Sequence, residues 1–391
     1  MEARRVAITG IGVISPCGLG TEAFWTGLLS TAPEGLRHVQ DFDPQPFFDN
    51  PKDARRSDRF TQFALAAAAE ALAMAGDIPG DPARHGVWIG TGIGGLTTLE
   101  EQVLVHDQKG SRRVSPFLVP MLMSNAASAA VSMRYGWQGP CETTCTACAA
   151  GTHAIGNAFN LIRHGRCDAV ITGSSEAAMT PTGIAGFTNM TAMSGECLSR
   201  PFDRDRDGFV LAEGAGVLVL EEWESAKARG ANILAELMGA ASNADAHHIT
   251  APSPGGVGAI ACMRMAIDDA GLTPADIAHV NAHGTSTPLN DAAEAAAIEA
   301  VFGPAGPPVT SIKGVTGHSL GAAGALEAVS IVLAIQKGLL PPTAGFANRD
   351  PEMAPIDIVI GEARPWSPGP TLSNSFGFGG HNGCIVIGPA D

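Results

Sequence analysis

Cys148 is the first residue whose surroundings suggest catalysis. It lies in Thr-Ala-Cys-Ala-Ala-Gly at 146–151, where an Ala-rich apolar stretch at 149–163 predicts a helix. Backbone N–H groups and the helix macrodipole favour an anion at a helix N-terminus, so we expect a stabilised thiolate with a lowered pKa. These features predict a cysteine nucleophile.

Three other interpretations of this cysteine segment remain open. A cysteine in an apolar segment commonly does no more than fill a core. Cys145 and Cys148 have the Cys-x-x-Cys spacing of a redox pair. Together with Cys141 they could also bind a metal ion, but the segment has no fourth ligand nearby, and we expect no metal site.

Two histidine segments could supply partners for a thiol. His283 ends a strand-like run and enters a Gly/Thr/Ser/Pro turn, at the sheet edge where α/β sites gather, although a structural histidine is the alternative. His318 opens a second apolar helix, whose N-terminus favours the neutral, proton-donating imidazole. Lys313 and Glu327 flank this histidine, and they could form either an ion pair that sets its protonation or an ordinary exposed pair.

A glycine-rich segment at 373–383 could supply backbone donors. It contains four glycines in eleven residues, which predicts a tight, mobile loop able to bring backbone N–H groups to an oxyanion. A phosphate cradle or a plain turn is the alternative. Gly92-x-Gly94-Gly95 is a poor dinucleotide-binding pattern, and we interpret it as packing.

The elements that must position these side chains alternate along the chain. Strand-like runs at 6–10, 86–90, 168–173, 210–220 and 277–281 alternate with Ala-rich helical stretches, including 61–75, which predicts an α/β fold without a flexible linker. The segment around Cys148 resembles that around Gly321, and matching positions keep a constant offset of 173 residues. This offset points to a duplication in which only one copy carries the thiol.

Composition excludes several classes of protein. A chain of 391 residues with 45% hydrophobic and 16% charged residues can bury a large core, which argues against disorder. The formal charge of −15 disfavours nucleic acid and anionic membranes as partners. No uninterrupted apolar run reaches the roughly 20 residues that a membrane helix needs. Eight scattered cysteines suggest reduced thiols, so we expect a cytoplasmic protein.

Together, these segments are similar to the elongating β-ketoacyl-[acyl-carrier-protein] synthases, the ketosynthases of the thiolase-like superfamily. The resemblance covers nearly the whole chain, and a Cys-His-His set separates this class from initiating synthases, for which Cys-His-Asn is expected. The matching segments are Val6–Val13, Thr146-Ala-Cys148, Arg200–Val210, Asp245–Thr250, Asn281–Pro288, Lys313–His318 and Asn374–Gly380.

The resemblance implies a fold and a reaction. The fold is the duplicated, five-layered αβαβα thiolase-like fold, which we divide into an N-terminal half with cap insertions at 1–236 and a C-terminal half at 237–391. Cys148 accepts an acyl group from the phosphopantetheine of an acyl carrier protein, and the chain has no cofactor of its own. His283 and His318 then stabilise the enolate of malonyl-carrier protein as CO₂ departs.

The resemblance also implies supporting roles for other residues. Lys313 and Glu327 match the supporting ion pair. Phe378 matches a gatekeeper, and its backbone N–H and that of Cys148 hold the oxyanion. The remaining implied residues are Gly377 and Gly379 at the gate, Thr285 and Thr287 at the substrate, and Leu99 at the far end of the acyl tunnel, where core packing is the alternative.

The expected partners are an acidic carrier protein and a second, homologous chain. Docking needs a local basic patch, for which the candidates are Arg55, Arg56, Arg59, Arg112 and Arg113, with a solvated basic face as the alternative. The dimer is either a homodimer or a heterodimer with a chain-length-factor-like subunit. His381, Cys145 and two shortened segments depart from the fatty-acid pattern, so a type II polyketide or polyene pathway remains open.

Two further classes of protein fit the sequence less well. A degradative thiolase requires a second catalytic cysteine near the C-terminal glycine-rich segment, and Cys384 lies in a strand-like run instead. A non-catalytic partner subunit of a ketosynthase heterodimer is the remaining alternative, and Cys148 argues against it.

Overall fold

A computed structural model describes residues 3–390 as strands and helices that alternate along most of the chain. The strands are β1 (Val6–Ser15), β2 (Gly18–Leu19), β3 (His85–Gly90), β4 (Cys141–Glu142), β5 (Ala169–Glu176), β6 (Gly214–Glu222), β7 (Ala235–Ala244), β8 (His279–Asn281), β9 (Val309–Thr310), β10 (Leu339–Leu340), β11 (Arg364–Pro365), β12 (Thr371–Gly377) and β13 (His381–Gly388). The helices are α1 (Thr21–Leu28), α2 (Pro51–Ala54), α3 (Arg59–Ala75), α4 (Leu96–Lys109), α5 (Leu118–Leu122), α6 (Ala126–Tyr135), α7 (Ala150–Arg163), α8 (Pro181–Asn189), α9 (Trp223–Ala228), α10 (Val257–Asp269), α11 (Pro288–Phe302), α12 (Lys313–Thr316) and α13 (Ala323–Lys337).

The large sheet is built from two copies of one topology. Its strand order is β4-β3-β5-β6-β1-β7-β13-β12-β8-β9, with β2 paired to β1. Read from opposite edges, the two sets of five strands have the same order along the chain and the same parallel and antiparallel neighbours. The duplication predicted from the offset of 173 residues is therefore present in the sheet.

Helices cover both faces of each half of the sheet. α3 packs on β1, β5 and β6 from outside, and α10 packs on β7, β12 and β13 from outside. Between the two halves, α7 and α13 contact each other and strands of both halves. These five layers are the αβαβα arrangement that the sequence predicts, and hydrogen bonds between β1 and β7 join the two halves into one continuous sheet.

The repeated helices agree in detail. Each follows a single 3₁₀ turn, at Ala147–Ala149 and Leu320–Ala322, whose first residues have φ of 50° and 48°. A glycine with positive φ follows shortly after each helix, at Gly165 and Gly338. The boundary between the halves at 236/237 falls just inside β7 and stays a prediction.

Helix α13 is buried at the centre of the fold. Residues 320–337 are apolar and long enough to span a membrane by length and composition alone, but 89% of them are buried inside the protein, as in a core helix. All eight cysteines lie in the described residues and are unpaired there. The cytoplasmic location stays a prediction.

The glycine-rich segment at 373–383 is more regular than its composition predicts. The expectation of one long loop is wrong, because β12 and β13 extend through it and pair in register from Thr371↔Ile387 to Gly377↔His381. Only residues 378–380 form the turn, where Gly379 and Gly380 have positive φ. Glycine composition hides the strands, since buried strand positions in contact with helices also require small residues.

Helix α3 approaches β1 at backbone distance. The side chain of Asp58 accepts a hydrogen bond from the Phe60 N–H and caps the helix, which Gly76 ends. A Cβ atom added at Gly12 would lie 2.0 Å from the carbonyl oxygen of Ala67. The absence of a side chain at Gly12 of β1 therefore allows α3 to lie directly on the sheet.

Gly12→Ala should destabilise the protein by about 3 kcal/mol, because neither backbone can yield without opening the layer. The same substitution at Gly186, an exposed glycine in α8 with no atom within 4 Å of the added Cβ, should be neutral or stabilise by up to about 1 kcal/mol. Urea unfolding of both variants measures the contrast. Equal effects at the two positions would contradict the packing argument.

Candidate active site

Cys148 lies in the 3₁₀ turn that follows β4 and precedes α7, in the N-terminal half of the fold. Its side chain is 5% exposed. The Sγ atom is 3.1 Å from Nε2 of His318, which the C-terminal half supplies. The two repeats therefore bring a thiol and an imidazole into direct contact.

The predicted direction of the Cys148 pKa shift is wrong. Burial raises the pKa of this thiol to about 11, and the N–H groups of Phe378 and Cys148 together with the charge of Lys313 offset only part of that effect. Removal from water disfavours the thiolate more than these donors favour it. Burial therefore favours the protonated thiol at neutral pH.

His283 and His318 are both buried and line the same cavity as Cys148. Their rings are 5.4 Å apart between centroids and nearly perpendicular, at 85°. Burial lowers the pKa of each imidazole well below its ordinary value, and the positive charge of Lys313 lowers both further. The neutral form predicted for His318 is confirmed, although burial is its main cause; His318 precedes the 3₁₀ turn rather than opening the helix itself.

Lys313 and Glu327 form a buried ion pair, each 1% exposed. The Lys313 Nζ also donates to the carbonyl oxygen of His283 at 2.6 Å and lies 3.4 Å from its Nδ1. Because an ammonium group can only donate, Nδ1 must accept and Nε2 carries the proton. Burial raises the pKa of Glu327 to about 7, opposed by Lys313.

The turn at 378–380 reaches over Cys148. The backbone N–H of Phe378 hydrogen-bonds to the thiol. A Cβ atom added at Gly377 would lie 3.1 Å from the backbone nitrogen of Cys148, so this glycine keeps the two chain segments at backbone distance. Gly379 has a φ of 84° and donates its N–H to the carbonyl of Ile249 at 2.7 Å.

A cavity of about 360 Å³ opens beside these groups. Cys148, both histidines and Phe378 line it, together with Thr285 and Thr287, whose hydroxyl groups are 2.9 Å apart. The cavity therefore joins the predicted nucleophile, imidazoles, gate and substrate-contacting threonines. Among residues 3–390, no group of three potential ligands for a metal ion occurs.

Sequence reasoning missed two buried carboxylates near this cavity. Glu294 on α11 accepts the backbone N–H groups of His283 and Gly284, each at 2.8 Å. Glu176 ends β5 and contacts the turns around Gly92 and Gly321. A carboxylate inside an Ala-rich helix, or at the end of an apolar strand, was the available signal for each.

Comparisons with known proteins agree with this geometry. Residues 31–226 match the model of the β-ketoacyl synthase N-terminal domain, and residues 234–347 match that of its C-terminal domain. The chain belongs to the β-ketoacyl synthase family. Its sequence is 44% identical over 408 residues to 3-oxoacyl-[acyl-carrier-protein] synthase 2 of Synechocystis sp., covering 98% of this chain and 97% of that protein.

Two further relatives support the family membership. The enzyme of the same name from Staphylococcus aureus is 46% identical over 412 residues, covering 99% of this β-ketoacyl synthase and 98% of the relative. The solved structure of the ishigamide ketosynthase/chain length factor superposes with a TM-score of 0.92 at 34% identity and covers 100% of both chains.

Leu99 is not part of the cavity around Cys148 in this β-ketoacyl synthase. It lies on α4 and is 40% exposed, so the alternative that it fills the core is wrong for the single chain. Seven large apolar side chains on and between α4, α5 and α6, helices that contact one another in sequence, are exposed and are named here the α4–α6 surface: Leu99, Val103, Leu104, Phe117, Val119, Met123 and Met133.

Four of the five arginines proposed for docking are exposed. The guanidinium carbon of Arg56 lies 4.5 Å from the centroid of the Phe117 ring, so the segment after α2 contacts the segment that links the Arg112–Arg113 turn to α5. The prediction that Arg59 contributes to docking needs correction. Its guanidinium is bound to the buried carboxylate of Glu213 at 2.8 Å and packs on Phe63, so it serves the fold.

Removing one partner of the Lys313–Glu327 pair should destabilise the protein far more than replacing both partners with apolar residues. Lys313→Met or Glu327→Leu alone leaves one buried charge and should destabilise the protein by about 3–5 kcal/mol. The double variant should lie within about 2 kcal/mol of the wild type, retaining only the loss of the donor to His283. Urea unfolding measures all three, and additive losses in the double variant would exclude this account.

Proposed function

We propose that this β-ketoacyl synthase elongates an acyl chain by decarboxylative Claisen condensation with malonyl-acyl carrier protein. The observation that carries the proposal is the convergence of one thiol and two neutral imidazoles on one cavity. The names of the two sequence relatives support it, because both are 3-oxoacyl-[acyl-carrier-protein] synthases.

The first step transfers the acyl group to the enzyme. The Cys148 sulfur attacks the thioester carbon of the acyl carrier protein, and the bond to the phosphopantetheine sulfur breaks. The thiol proton leaves with the released phosphopantetheine thiol, so no charge accumulates. Because burial raises the pKa of Cys148 to about 11, the proton must leave the sulfur as the sulfur attacks.

The second step generates the carbon nucleophile. Malonyl-carrier protein loses CO₂, and the electron pair of the broken carbon–carbon bond moves to the thioester oxygen as an enolate. Nε2–H of His283, together with His318, donates hydrogen bonds to that oxygen. Their lowered pKa values favour neutral donors that do not trap the enolate by protonating it.

The third step joins the two fragments. The enolate carbon attacks the carbonyl carbon of acyl-Cys148, and the backbone N–H groups of Cys148 and Phe378 hold the resulting oxyanion. Collapse breaks the carbon–sulfur bond and releases β-ketoacyl-carrier protein. The Cys148 sulfur then takes up one proton and regains its resting form.

A role as a non-catalytic partner subunit is the weaker alternative, because the nucleophile and both imidazoles are present and line one cavity. Identities of 44% and 46% to synthases 2, against 34% to the ishigamide ketosynthase, favour fatty-acid elongation over a polyketide pathway. Turnover with a panel of acyl-carrier proteins of increasing chain length tests this choice of pathway.

Cys148→Gln should abolish condensation and retain malonyl decarboxylation, because the glutamine amide resembles an acylated cysteine but cannot transfer an acyl group. His283→Ala and His318→Ala should each slow decarboxylation by about 10²-fold or more, while acylation of Cys148 suffers much less. Release of CO₂ and mass spectrometry of the acyl-enzyme measure the two steps separately. Variants that lose acylation but keep decarboxylation would refute the enolate role.

We also propose that the α4–α6 surface is covered by a second chain. Seven large apolar side chains within residues 99–133 are exposed in the single chain, and among residues 3–390 the edge strand β4, which α6 contacts, pairs with β3 alone. An identical copy or a homologous chain-length-factor-like subunit fits such a surface. The partner would enclose Leu99, whose side chain would then limit the length of the acyl chain.

The carrier protein is proposed to dock on the face formed by Arg55, Arg56, Arg112 and Arg113. Charge reversal by Arg56→Glu or Arg113→Glu should raise KM for carrier-bound substrate about tenfold, a loss of about 1.4 kcal/mol, and leave a small thioester substrate unaffected. Added salt should weaken the wild-type interaction.

Arg166→Glu is the matched control for docking. Arg166 is exposed and follows the end of α7 opposite Cys148, about 21 Å along a helix of 14 residues. Its reversal should leave KM unchanged. If Arg56→Glu and Arg113→Glu affect the carrier-bound and small substrates equally, these residues do not dock the carrier protein.

A further inference from the structure

Glu176 is a fully buried carboxylate that the proposed reaction does not use. It ends β5 with 0% exposure. Its Oε2 accepts the backbone N–H groups of Gly92 at 2.6 Å and Gly321 at 3.2 Å, and its Oε1 accepts the Thr91 hydroxyl at 3.3 Å. Within residues 3–390 it makes no salt bridge with a lysine or arginine.

The two glycines that Glu176 binds belong to different halves of the fold. Gly92 follows β3 in the N-terminal half, and Gly321 lies in the 3₁₀ turn before α13 in the C-terminal half. A Cβ atom added at Gly321 would lie 2.0 Å from the backbone nitrogen of Gly92. The two backbones are therefore in contact, and one carboxylate oxygen binds both.

The Gly321 turn carries His318 toward Cys148. Leu320 lies between His318 and Gly321 and has a φ of 48°. A side chain disfavours this left-handed conformation, so the surroundings must stabilise it. The carboxylate of Glu176 supplies such a restraint one residue later. The position of His318 Nε2, 3.1 Å from Sγ of Cys148, follows from where this turn is held.

We propose that Glu176 is a positioning residue whose carboxylate clamps the Gly321 turn to the Gly92 turn and so sets the contact between His318 and Cys148. This inference rests on the proposed function, in which His318 must reach the malonyl thioester. The clamp joins the half that carries the thiol to the half that carries the imidazole.

The clamp requires an acceptor and sufficient length rather than a charge. Burial raises the pKa of Glu176 to about 7, and either protonation state leaves an oxygen to accept both N–H groups. A glutamine has the same length and can present its amide oxygen there. An aspartate keeps the carboxylate but is one methylene shorter, so it cannot reach Gly321 from an unmoved strand.

Two conservative variants therefore separate reach from charge. Glu176→Gln should keep kcat for malonyl decarboxylation within about threefold of the wild type. Glu176→Asp should lower kcat by about 10²-fold with little change in KM, the scale expected when a catalytic group is misplaced by about 1 Å. Crystal structures should show the wild-type Sγ–Nε2 separation in the glutamine variant and a longer one in the aspartate variant.

Glu221→Asp is the matched control. Glu221 is also buried, lies on the neighbouring strand β6 opposite the start of β5, and binds Thr9 and Arg229. Its shortening should lower stability and leave kcat near that of the wild type. A similar loss of kcat in Glu221→Asp would mean that any buried cavity disables the enzyme, and the proposal would fail.

The remaining outcomes are also decisive. A Glu176→Asp variant with wild-type kcat, or a glutamine variant as impaired as the aspartate variant, overturns the clamp. An unchanged Sγ–Nε2 separation in the aspartate variant does the same without reference to activity. A wild-type enzyme that releases no CO₂ from malonyl-carrier protein refutes the proposed function instead, and the crystallographic comparison still tests the clamp.

Discussion

The approach of α7 and α13 at backbone distance is the contact on which the catalytic centre depends. A Cβ atom added at Gly151 would lie 2.8 Å from the backbone nitrogen of Ala325, and one added at Gly324 would lie 2.8 Å from that of Thr152. These two glycines are 173 residues apart, so each copy of the repeat contributes one glycine at the matching position where α7 and α13 cross. Because both helices begin at this crossing, the turns that precede them, and the thiol and imidazole that those turns carry, must meet.

The same packing removes water from every ionisable group at the centre. It raises the pKa of the Cys148 thiol and the Glu327 carboxyl and lowers the pKa of both imidazoles, so neutral forms dominate except at the Lys313–Glu327 pair. That pair persists because each charge compensates the other at contact distance. A centre kept neutral in this way confines charge to the enolate and the oxyanion, which the positioned donors can then stabilise.

The sequence was sufficient for the features that depend on local pattern. Apolar alternation located the main strands, the Ala-rich runs located α3 and α7, and the repeat revealed the duplication. It was insufficient where distant segments decide the outcome. The helix-terminus argument for Cys148 gave the wrong direction for its pKa because segments distant in sequence bury the thiol. Arg59 is bound by Glu213, which lies 154 positions away in the sequence. Leu99 lies on a surface that is exposed in the single chain.

The duplication also explains why one half has a nucleophile and the other does not. Cys148 and Gly321 occupy matching positions in turns of nearly identical backbone conformation. At the first position the backbone N–H faces the cavity side of the thiol and is proposed to hold the oxyanion; at the second the corresponding N–H is bound to Glu176. A side chain at 321 would collide with Gly92, so a second thiol has no room. One turn thus keeps its N–H for a transient anion, while the N–H of the other binds the Glu176 side-chain oxygen, which is proposed to fix the imidazole.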